Sequence, residues 1–335
     1  MIEIFLYAFF ISLFTLMLVI YLSHKYSYFI DCHKEDKPQK FHDEPVPRAG
    51  GIGIIIALIL LVLTPYGLKL IPSVILAFMS GIFEDFHNSL SPKIRLGLQI
   101  LASSVAVWLT HSVVTYLGLG ITLPYAVGVF FSIFAIVGMM NAINIIDGFN
   151  GLASGVVLII LASFAMISFE HHNEELLYVI SVSAGAVLGL FVLVFPYGKI
   201  FLGDGGAYLL GFLVALIGIF LAGEYEDVSP WYVLAILIYP VWEVIFSIFR
   251  KLSIGLSPMQ PDNYHIHMLI QRNITNNNPL TALFILILMI PHSIFSTLYA
   301  HSSQYNILVV VVFVFCYLMF YWYLRKKEDL KSKKI

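Results

Sequence analysis

Four groups of polar residues interrupt an otherwise apolar sequence, and the first of them pairs two acids. Glu84 and Asp85 are adjacent, and Asn88 follows three residues after Asp85. Adjacent carboxylates repel each other unless a cation or a proton relieves them, and a helix C-terminus is better served by Lys or Arg. The pair therefore predicts a site that binds a cation or moves a proton. A solvated helix end is the alternative explanation.

The second group lies in the segment NAINIIDGFNG. Asn141, Asn144 and Asp147 recur every three residues, so a continued helix would place them along one face. Gly148 and Gly151 allow the backbone to turn and to approach a ligand closely. Helix capping is the alternative, but three amide or acid groups exceed what a cap needs.

The third and fourth groups follow later in the chain. Asp204 stands among glycines before an apolar run, where it could cap a helix, or hold a divalent ion beside a phosphate bound by backbone amides. His265 and His267 form an HxH pair, which suits a surface position, zinc binding or hydrogen bonds to phosphate. Because neither a nearby Cys nor an HExxH segment accompanies the pair, a zinc site is disfavoured.

The four groups and a basic first loop together predict a type of chemistry. They supply carboxylates for a metal, cations for phosphates and glycines for close approach, which suits phosphoryl transfer. Oxygen and amide ligands favour Mg²⁺ or Mn²⁺ over zinc or copper. The basic loop contains Lys40, His42 and Arg48, and contact with anionic lipid is its alternative role.

These residues must be positioned by membrane helices. The chain of 335 residues is 60% hydrophobic and 11% charged, and its mean hydropathy is +0.91, far from the average of soluble domains. Its long continuous apolar runs fit helices that cross a bilayer better than the alternating strands of a barrel. We predict an all-α, polytopic membrane helix bundle of about eleven transmembrane helices. The predicted segments are 4–22, 50–67, 71–83, 97–112, 124–140, 152–168, 177–195, 206–222, 231–249, 281–300 and 306–324.

The distribution of charge predicts the orientation of this bundle. With eleven helices, 17 of the 18 Lys and Arg residues fall on one side, and only Lys69 falls on the other. The positive-inside rule assigns the basic side to the cytoplasm, so we predict the N-terminus outside and the C-terminus inside. All four polar groups then lie at the cytoplasmic face of the bundle, and we predict that the bundle lies in the cell membrane. We also predict a single membrane domain over 1–325 and a basic cytoplasmic tail over 326–335.

Net charge and cysteine use disfavour other classes of protein. The net charge of -2 argues against a nucleic-acid partner. Cys32 and Cys316 lack metal-ligand spacing and are predicted to be reduced bystanders. A solute or ion transporter is the competing class, because transporters also keep polar residues between membrane helices. Transporter sites lie near the bilayer midplane, whereas these polar groups are predicted at its cytoplasmic boundary.

Five ordered motifs resemble those of one family, the polyprenyl-phosphate N-acetylhexosamine-1-phosphate transferases. The resemblance implies ten or eleven helices with cytoplasmic catalytic loops. It also implies that undecaprenyl phosphate attacks the β-phosphorus of a UDP-N-acetylhexosamine, with GlcNAc the favoured sugar, and that UMP leaves. The lipid product would initiate a cell-surface polysaccharide such as a cell-wall polymer or lipopolysaccharide O-antigen, and a homodimer is left open. The motifs are QKFHDEPVPRAGG, GIFEDFHNSLSPKIRL, NAINIIDGFNGLASG, FLGDGGAYLLGF and PDNYHIH.

The same resemblance implies roles for individual residues. Asp204 and Asn144 would bind the metal, Mg²⁺ or Mn²⁺. The nucleotide-side loop would face the uridine diphosphate, and the HxH histidines would assist the diphosphate or the sugar. The residues implied to be catalytic are Glu84, Asp85, Asn88, His265 and His267, and those implied to bind substrate are Lys40, His42, Arg48, Lys93, Arg95, Asp147, Gly148 and Asn150.

The sequence departs from the usual family pattern at several positions. Many members carry Asp-Asp where Glu84 and Asp85 stand, which leaves open which carboxylate is a base and whether a base is needed. The spacing from Asp85 to Lys93 is one residue longer than in the commonest form, and Met268 stands where some members carry a third His. We expect these changes to alter the substrate preference and to preserve activity. A catalytically idle scaffold is the alternative.

Overall fold

The computed structural model describes residues 1–26, 29, 46–87, 90–257, 260 and 262–332. Three predicted site residues, Lys40, His42 and Asn88, lie outside the described residues. The described part is helical, without strands, which confirms the predicted class. Its α-helices are α1 (Ile2–Tyr26), α2 (Gly50–Ala57), α3 (Pro65–His87), α4 (Pro92–Thr110), α5 (Tyr125–Ile146), α6 (Leu152–Glu170), α7 (Glu174–Val194), α8 (Gly203–Glu224), α9 (Pro230–Ser253), α10 (Ile266–Ile270), α11 (Asn278–Leu298) and α12 (Ser303–Ser332).

The number of helices able to cross a membrane differs from the prediction. Within the described residues, nine helices are long and apolar enough to span a bilayer, against the eleven expected. The segment predicted at 50–67 is a shorter apolar element, Gly50–Leu63, made of α2 and a 3-10 helix (Leu58–Leu63). The segment predicted at 97–112 belongs to α4, whose first turn carries Lys93 and Arg95. The chain is a multi-pass membrane protein, and its orientation stays a prediction.

Helix α8 forms the centre of the bundle. Its most apolar stretch is 94% buried, whereas the corresponding stretches of α1 and α12 are each 17% buried. Helices α2, α3, α5 and α6 pack around α8, and small residues allow their backbones to approach it closely. A Cβ added at Gly51 would lie 2.6 Å from the backbone nitrogen of Gly206, and one added at Gly81 would overlap the backbone of Asp204 and Gly205.

A short backbone pairing joins the start of α2 to the start of α8. The Phe201 N–H donates to the Pro47 carbonyl at 2.8 Å, and the Gly50 N–H donates to the Phe201 carbonyl at 2.8 Å. Arg48 and Phe201 thereby form a parallel bridge. This pairing holds Arg48, at the end of the basic first loop, close to Asp204.

Helix α12 is longer than the predicted last span. It runs through Ser303–Ser332, so that residues 326–332 of the predicted tail continue a helix. Its buried residues Tyr317, Tyr321 and Leu324 belong to the same hydrophobic cluster as those of α8. The C-terminal half of α12 therefore packs against the bundle through these residues.

Candidate active site

Asp85 and Asp204 meet at the N-terminus of α8. Two backbone N–H groups donate to the Asp85 carboxylate, that of Asp204 to Oδ1 at 2.8 Å and that of Gly205 to Oδ2 at 2.9 Å. Gly203, which directly precedes Asp204, has a φ of 76°, and a Cβ there would lie 2.7 Å from Asp85 Oδ2. Asp85 therefore caps α8 from another helix and faces the positive end of its dipole.

The Asp204 side chain collects groups from three other segments. Arg95 Nη1 donates to Oδ2 at 3.0 Å, and Asn144 Nδ2 donates to Oδ1 at 3.0 Å. Arg48 Nη2 lies 3.6 Å from Oδ1. The Asp204 side chain is 15% exposed and that of Arg48 is 41% exposed, so solutes can reach the cluster. The structure thus brings four predicted residues to Asp204, with Arg48, Arg95 and Asn144 at its carboxylate and Asp85 at its backbone.

The loop after α5 supplies a further acid. Asp147 follows the last residue of α5 and is half-buried. Burial raises the pKa of Asp147 to about 7, Arg48 acts against this rise, and Asp204 and Asp85 add to it. Two carboxylates and a guanidinium group therefore influence the charge of Asp147, which places it electrostatically within the same site.

Gly148 and Asn150, from the same loop, have different surroundings. Gly148 is exposed, and a Cβ added there would lie 3.9 Å from His267 Nε2. Asn150 is buried, and its Nδ2 donates to the Pro196 carbonyl at 2.9 Å while its backbone N–H donates to Asn278 Oδ1 at 2.7 Å. Asn150 thus makes internal contacts that join the loop to neighbouring segments, and its predicted contact with uridine diphosphate stays a prediction.

The two histidines of the HxH pair are stacked but differ in their partners. Their rings are 5.4 Å apart and nearly parallel, with an angle of 2°. His265 Nδ1 lies 2.9 Å from Glu243 Oε2. His267 is fully buried, its Nδ1 lies 3.4 Å from the Tyr239 hydroxyl, and its Nε2 has no hydrogen-bond partner among the described residues. Burial lowers the pKa of His267 to about 3, so the ring is neutral at pH 7.

Two predicted residues remain at the edge of this arrangement. Glu84 is half-buried, and its Oε2 is buried without a hydrogen-bond partner among the described residues. Lys93 is exposed in the first turn of α4. The structure gives neither residue a described contact with Asp204, and their roles stay predictions.

Sequence reasoning missed Glu243. This acid lies within α9 and is 1% exposed, yet it contacts the HxH pair directly. The available signal was a single carboxylate inside an apolar span, which is costly in a membrane and usually has a specific partner.

The donor set around Asp204 fits a magnesium ion bound together with a phosphate. Over the described ranges, no group of three or more His, Cys, Asp or Glu residues could form a metal site. Mg²⁺ needs no such cage, because it is usually bound through one or two carboxylates and substrate phosphates, with water completing its shell. Asp204 offers a carboxylate whose partners are side chains, and Asn144 an amide at 3.0 Å from it. Both Asp85 oxygens instead accept from the backbone at the start of α8, which a ligand could displace only by disturbing the helix.

Fold and site together define a multi-pass membrane protein with a polar centre suited to phosphate chemistry. Residues 68–222 match glycosyl transferase family 4. An undecaprenyl-phosphate α-N-acetylglucosaminyl 1-phosphate transferase of Thermotoga maritima is 30% identical over 292 residues, which cover 85% of this chain and 87% of that protein. The chain therefore belongs to the polyprenyl-phosphate N-acetylhexosamine-1-phosphate transferase family, as its motifs predicted.

Two further relatives agree with this assignment. A probable undecaprenyl-phosphate N-acetylglucosaminyl 1-phosphate transferase of Bacillus subtilis is 28% identical, over 78% of this chain and 75% of that protein. A decaprenyl-phosphate N-acetylglucosaminephosphotransferase of Mycolicibacterium smegmatis is 27% identical, over 82% of this chain and 77% of that protein. Membership of this family favours a phospho-sugar transferase over the transporter alternative.

Proposed function

We propose that this protein transfers GlcNAc-1-phosphate from UDP-GlcNAc to undecaprenyl phosphate. A phosphate oxygen of the lipid attacks the β-phosphorus of the nucleotide sugar, and the bond from that phosphorus to the bridging oxygen breaks. UMP leaves with the bonding electron pair, and the lipid becomes a polyprenyl diphosphosugar. The acceptor and sugar named for the Thermotoga maritima and Bacillus subtilis relatives support this choice.

One observation carries the proposal, namely the convergence of Arg48, Arg95 and Asn144 on Asp204. Phosphoryl transfer depends mainly on positioning and on neutralising charge around the transferred group. An incoming diphosphate competes with Asp204 for the two guanidinium groups, and Arg48 is exposed enough to be reached. The arginines then hold the phosphates by paired hydrogen bonds.

Asp204 and Asn144 would hold Mg²⁺, or Mn²⁺ in its place. Bound there, the ion would neutralise charge on the diphosphate oxygens and polarise the phosphorus for attack. Asp85 keeps the start of α8 in place through its two backbone hydrogen bonds, and so positions Asp204. The basic side of the helix bundle supports a site at the cytoplasmic face of the cell membrane, where the product would initiate a cell-surface polysaccharide.

The proposal is tested with purified protein, undecaprenyl phosphate, Mg²⁺ and a panel of UDP-N-acetylhexosamines. We expect release of UMP together with a lipid-linked sugar, fastest with UDP-GlcNAc, and loss of both after removal of the metal by a chelator. The variant Asp204→Asn should form neither product. Failure of the wild-type protein to form a lipid-linked product with any donor would support the scaffold alternative instead.

A further inference from the structure

Glu243 is a buried carboxylate in the middle of a membrane-spanning helix. It is 1% exposed and accepts three hydrogen bonds. Tyr317 Oη donates to Oε1 at 2.7 Å, the Ile266 N–H donates to the same oxygen at 3.3 Å, and His265 Nδ1 lies 2.9 Å from Oε2. Burying a carboxylate within a membrane span costs free energy unless hydrogen bonds compensate it. An acid with three such partners at this position therefore indicates a functional role.

The contact with Glu243 determines how the His265 ring is presented. An ionised Glu243 only accepts, so the 2.9 Å contact assigns the His265 proton to Nδ1. Nε2 then becomes the nitrogen that can accept or exchange a proton. It points to the Asp262 side, 3.9 Å from Oδ1, and Asp262 is itself held by Arg250 Nη2 at 2.8 Å. Lys251, 3.9 Å from Asp262, adds a second cation to this side.

Helix α12 fastens the segment around His265 at several points. Tyr317 contacts Glu243, as described, and Arg325 lies over the Tyr264 ring at 4.3 Å. Further along α12, Glu328 accepts from Arg272 Nε at 2.8 Å. These contacts occur on both sides of the HxH pair, and all of them lie outside residues 68–222 that match the family. The placement of His265 therefore depends on α12.

We infer that Glu243 is a positioning residue for His265, that Tyr317 of α12 positions Glu243, and that the two together hold the HxH pair beside Gly148, in the loop that serves the nucleotide-sugar donor. The inference rests on the proposed function for the identity of the donor. His267 takes a different part, because the structure shows no hydrogen bond from it to a carboxylate among the described residues and its Nε2 lies toward Gly148. Within that part of the chain, the stacked histidines are thus two distinct groups, and the acid Glu243 supports His265.

A double-mutant cycle of Glu243→Gln and His265→Gln tests the inference. Charge on the leaving phosphate grows in the transition state, so Glu243→Gln should lower kcat about 10- to 100-fold and change KM for UDP-GlcNAc less than about 3-fold. In the His265→Gln background, the same substitution should lower kcat less than about 2-fold further, because its partner is gone. Equal losses in both backgrounds would overturn the inference and leave the proposed function intact.

Tyr317→Phe and Tyr321→Phe form a matched pair on α12. Tyr317→Phe removes the hydroxyl bound to Glu243 and should lower kcat about 3- to 10-fold, the effect of one typical hydrogen bond, because Glu243 keeps its other partners. Tyr321 lies one turn away and is also buried, but its hydroxyl makes no hydrogen bond within the described part of the chain. Tyr321→Phe should leave kcat unchanged. Equal kcat values for the two variants would contradict a role for the Tyr317 hydroxyl.

A measurement without turnover separates this inference from the proposed function. In NMR of protein with isotope-labelled histidine, the His265 signal is identified by its loss in His265→Gln. We expect its proton on Nδ1 in the wild-type protein, and a changed distribution between the two nitrogens in Glu243→Gln. A proton on Nε2 in the wild type, or a spectrum unaffected by Glu243→Gln, would overturn the inference even if no sugar donor were turned over.

Discussion

The carboxylate of Asp85 accepts the backbone N–H of Asp204 at 2.8 Å. The side chain of one acid thus holds the backbone of the other, and the Asp204 carboxylate stays available for its own partners, Arg48, Arg95 and Asn144. Two acids that occur in separate motifs therefore have different surroundings, Asp85 at the backbone of α8 and Asp204 among the side chains with which it is proposed to bind the metal.

Substitution of these two acids should separate stability from activity. Asp85→Asn and Asp204→Asn should both abolish turnover. Only Asp85→Asn should also lower the free energy of unfolding, by about 1–2 kcal/mol, because it removes a charged acceptor from the α8 N-terminus. Product formation measures turnover, and unfolding by denaturant in detergent measures stability. Glu3→Gln, a substitution of an exposed acid, is the control and should change neither. Full turnover in either aspartate variant would contradict the site.

Arg95 should control binding of the nucleotide sugar. Its guanidinium group lies 3.0 Å from Asp204 and is 20% exposed. Arg95→Gln should raise KM for UDP-GlcNAc about 10- to 100-fold, which corresponds to about 1.5–3 kcal/mol for a charged hydrogen bond. Arg95→Lys should restore only part of the affinity, because lysine lacks the paired donors of arginine. Steady-state kinetics measure these changes. The control Lys69→Gln, at the end of α3 that is remote from Asp85, should show no change in KM.

The close contact between α3 and α8 should be sensitive to one methyl group. A Cβ at Gly81 would overlap the backbone of Asp204, whereas nothing lies within 4 Å of a Cβ at Gly97. Gly81→Ala should destabilise the protein by about 1–3 kcal/mol and reduce activity, since the helices must separate. Gly97→Ala, also within a helix, should be neutral or stabilising by up to about 1 kcal/mol. Unfolding curves that coincide for the two variants would show that α3 is not tightly packed at Gly81.

A cluster of loops at the other end of the bundle should make stability depend on pH. His171 Nε2 lies 3.0 Å from Asp227 Oδ1, and His301 joins Asp227 to Glu170. Burial by itself lowers the pKa of His171. The hydrogen bond with Asp227 and the other contacts of the ring outweigh burial and raise the pKa above 6.5. The hydrogen bond to His171 lowers the pKa of Asp227 below 3.8.

The sign of this pH effect follows from the two shifts. The raised pKa of His171 gives stability that is fully present below pH 6.5 and is lost as pH rises through the folded-state pKa. The lowered pKa of Asp227 gives stability that is present above pH 3.8 and is lost at more acid pH. His171→Gln should therefore lower stability at about pH 5.5 by about 0.2–1 kcal/mol, as for an exposed pair, and by less at about pH 8.5.

Melting temperatures at the two pH values measure this difference. His172→Asn is the matched control, because His172 is the neighbouring exposed residue with a φ of 51°, which Asn tolerates. The control should melt with the pH dependence of the wild type. An unchanged pH dependence in His171→Gln would show that its contact with Asp227 does not stabilise the fold.

Much of the fold could be predicted because membrane insertion depends on local composition. Nine of the predicted apolar segments correspond to helices that can span a bilayer within the described part of the chain. The segment at 50–67 was predicted too long because hydropathy does not register the break at Thr64, where the chain becomes extended after the 3-10 helix Leu58–Leu63 and before α3 begins. Residue types likewise indicated Asp204 and Asn144 as site candidates, since carboxylates and amides are unusual beside apolar helices. Arg95 was implied only by the resemblance to the family.

The sequence by itself determined a helical membrane protein of a recognisable family, with acids, amides and histidines in five motifs. Only the tertiary structure decided which of these groups meet. Asp85 and Asp204 are 119 residues apart, Asn150 and Asn278 are 128 apart, and Glu243 and His265 are 22 apart. Hydropathy and spacing are local properties, whereas these contacts depend on how closely helices such as α3, α8 and α9 pack. The capping role of Asp85, the internal contacts of Asn150 and the support of His265 by Glu243 follow from that packing.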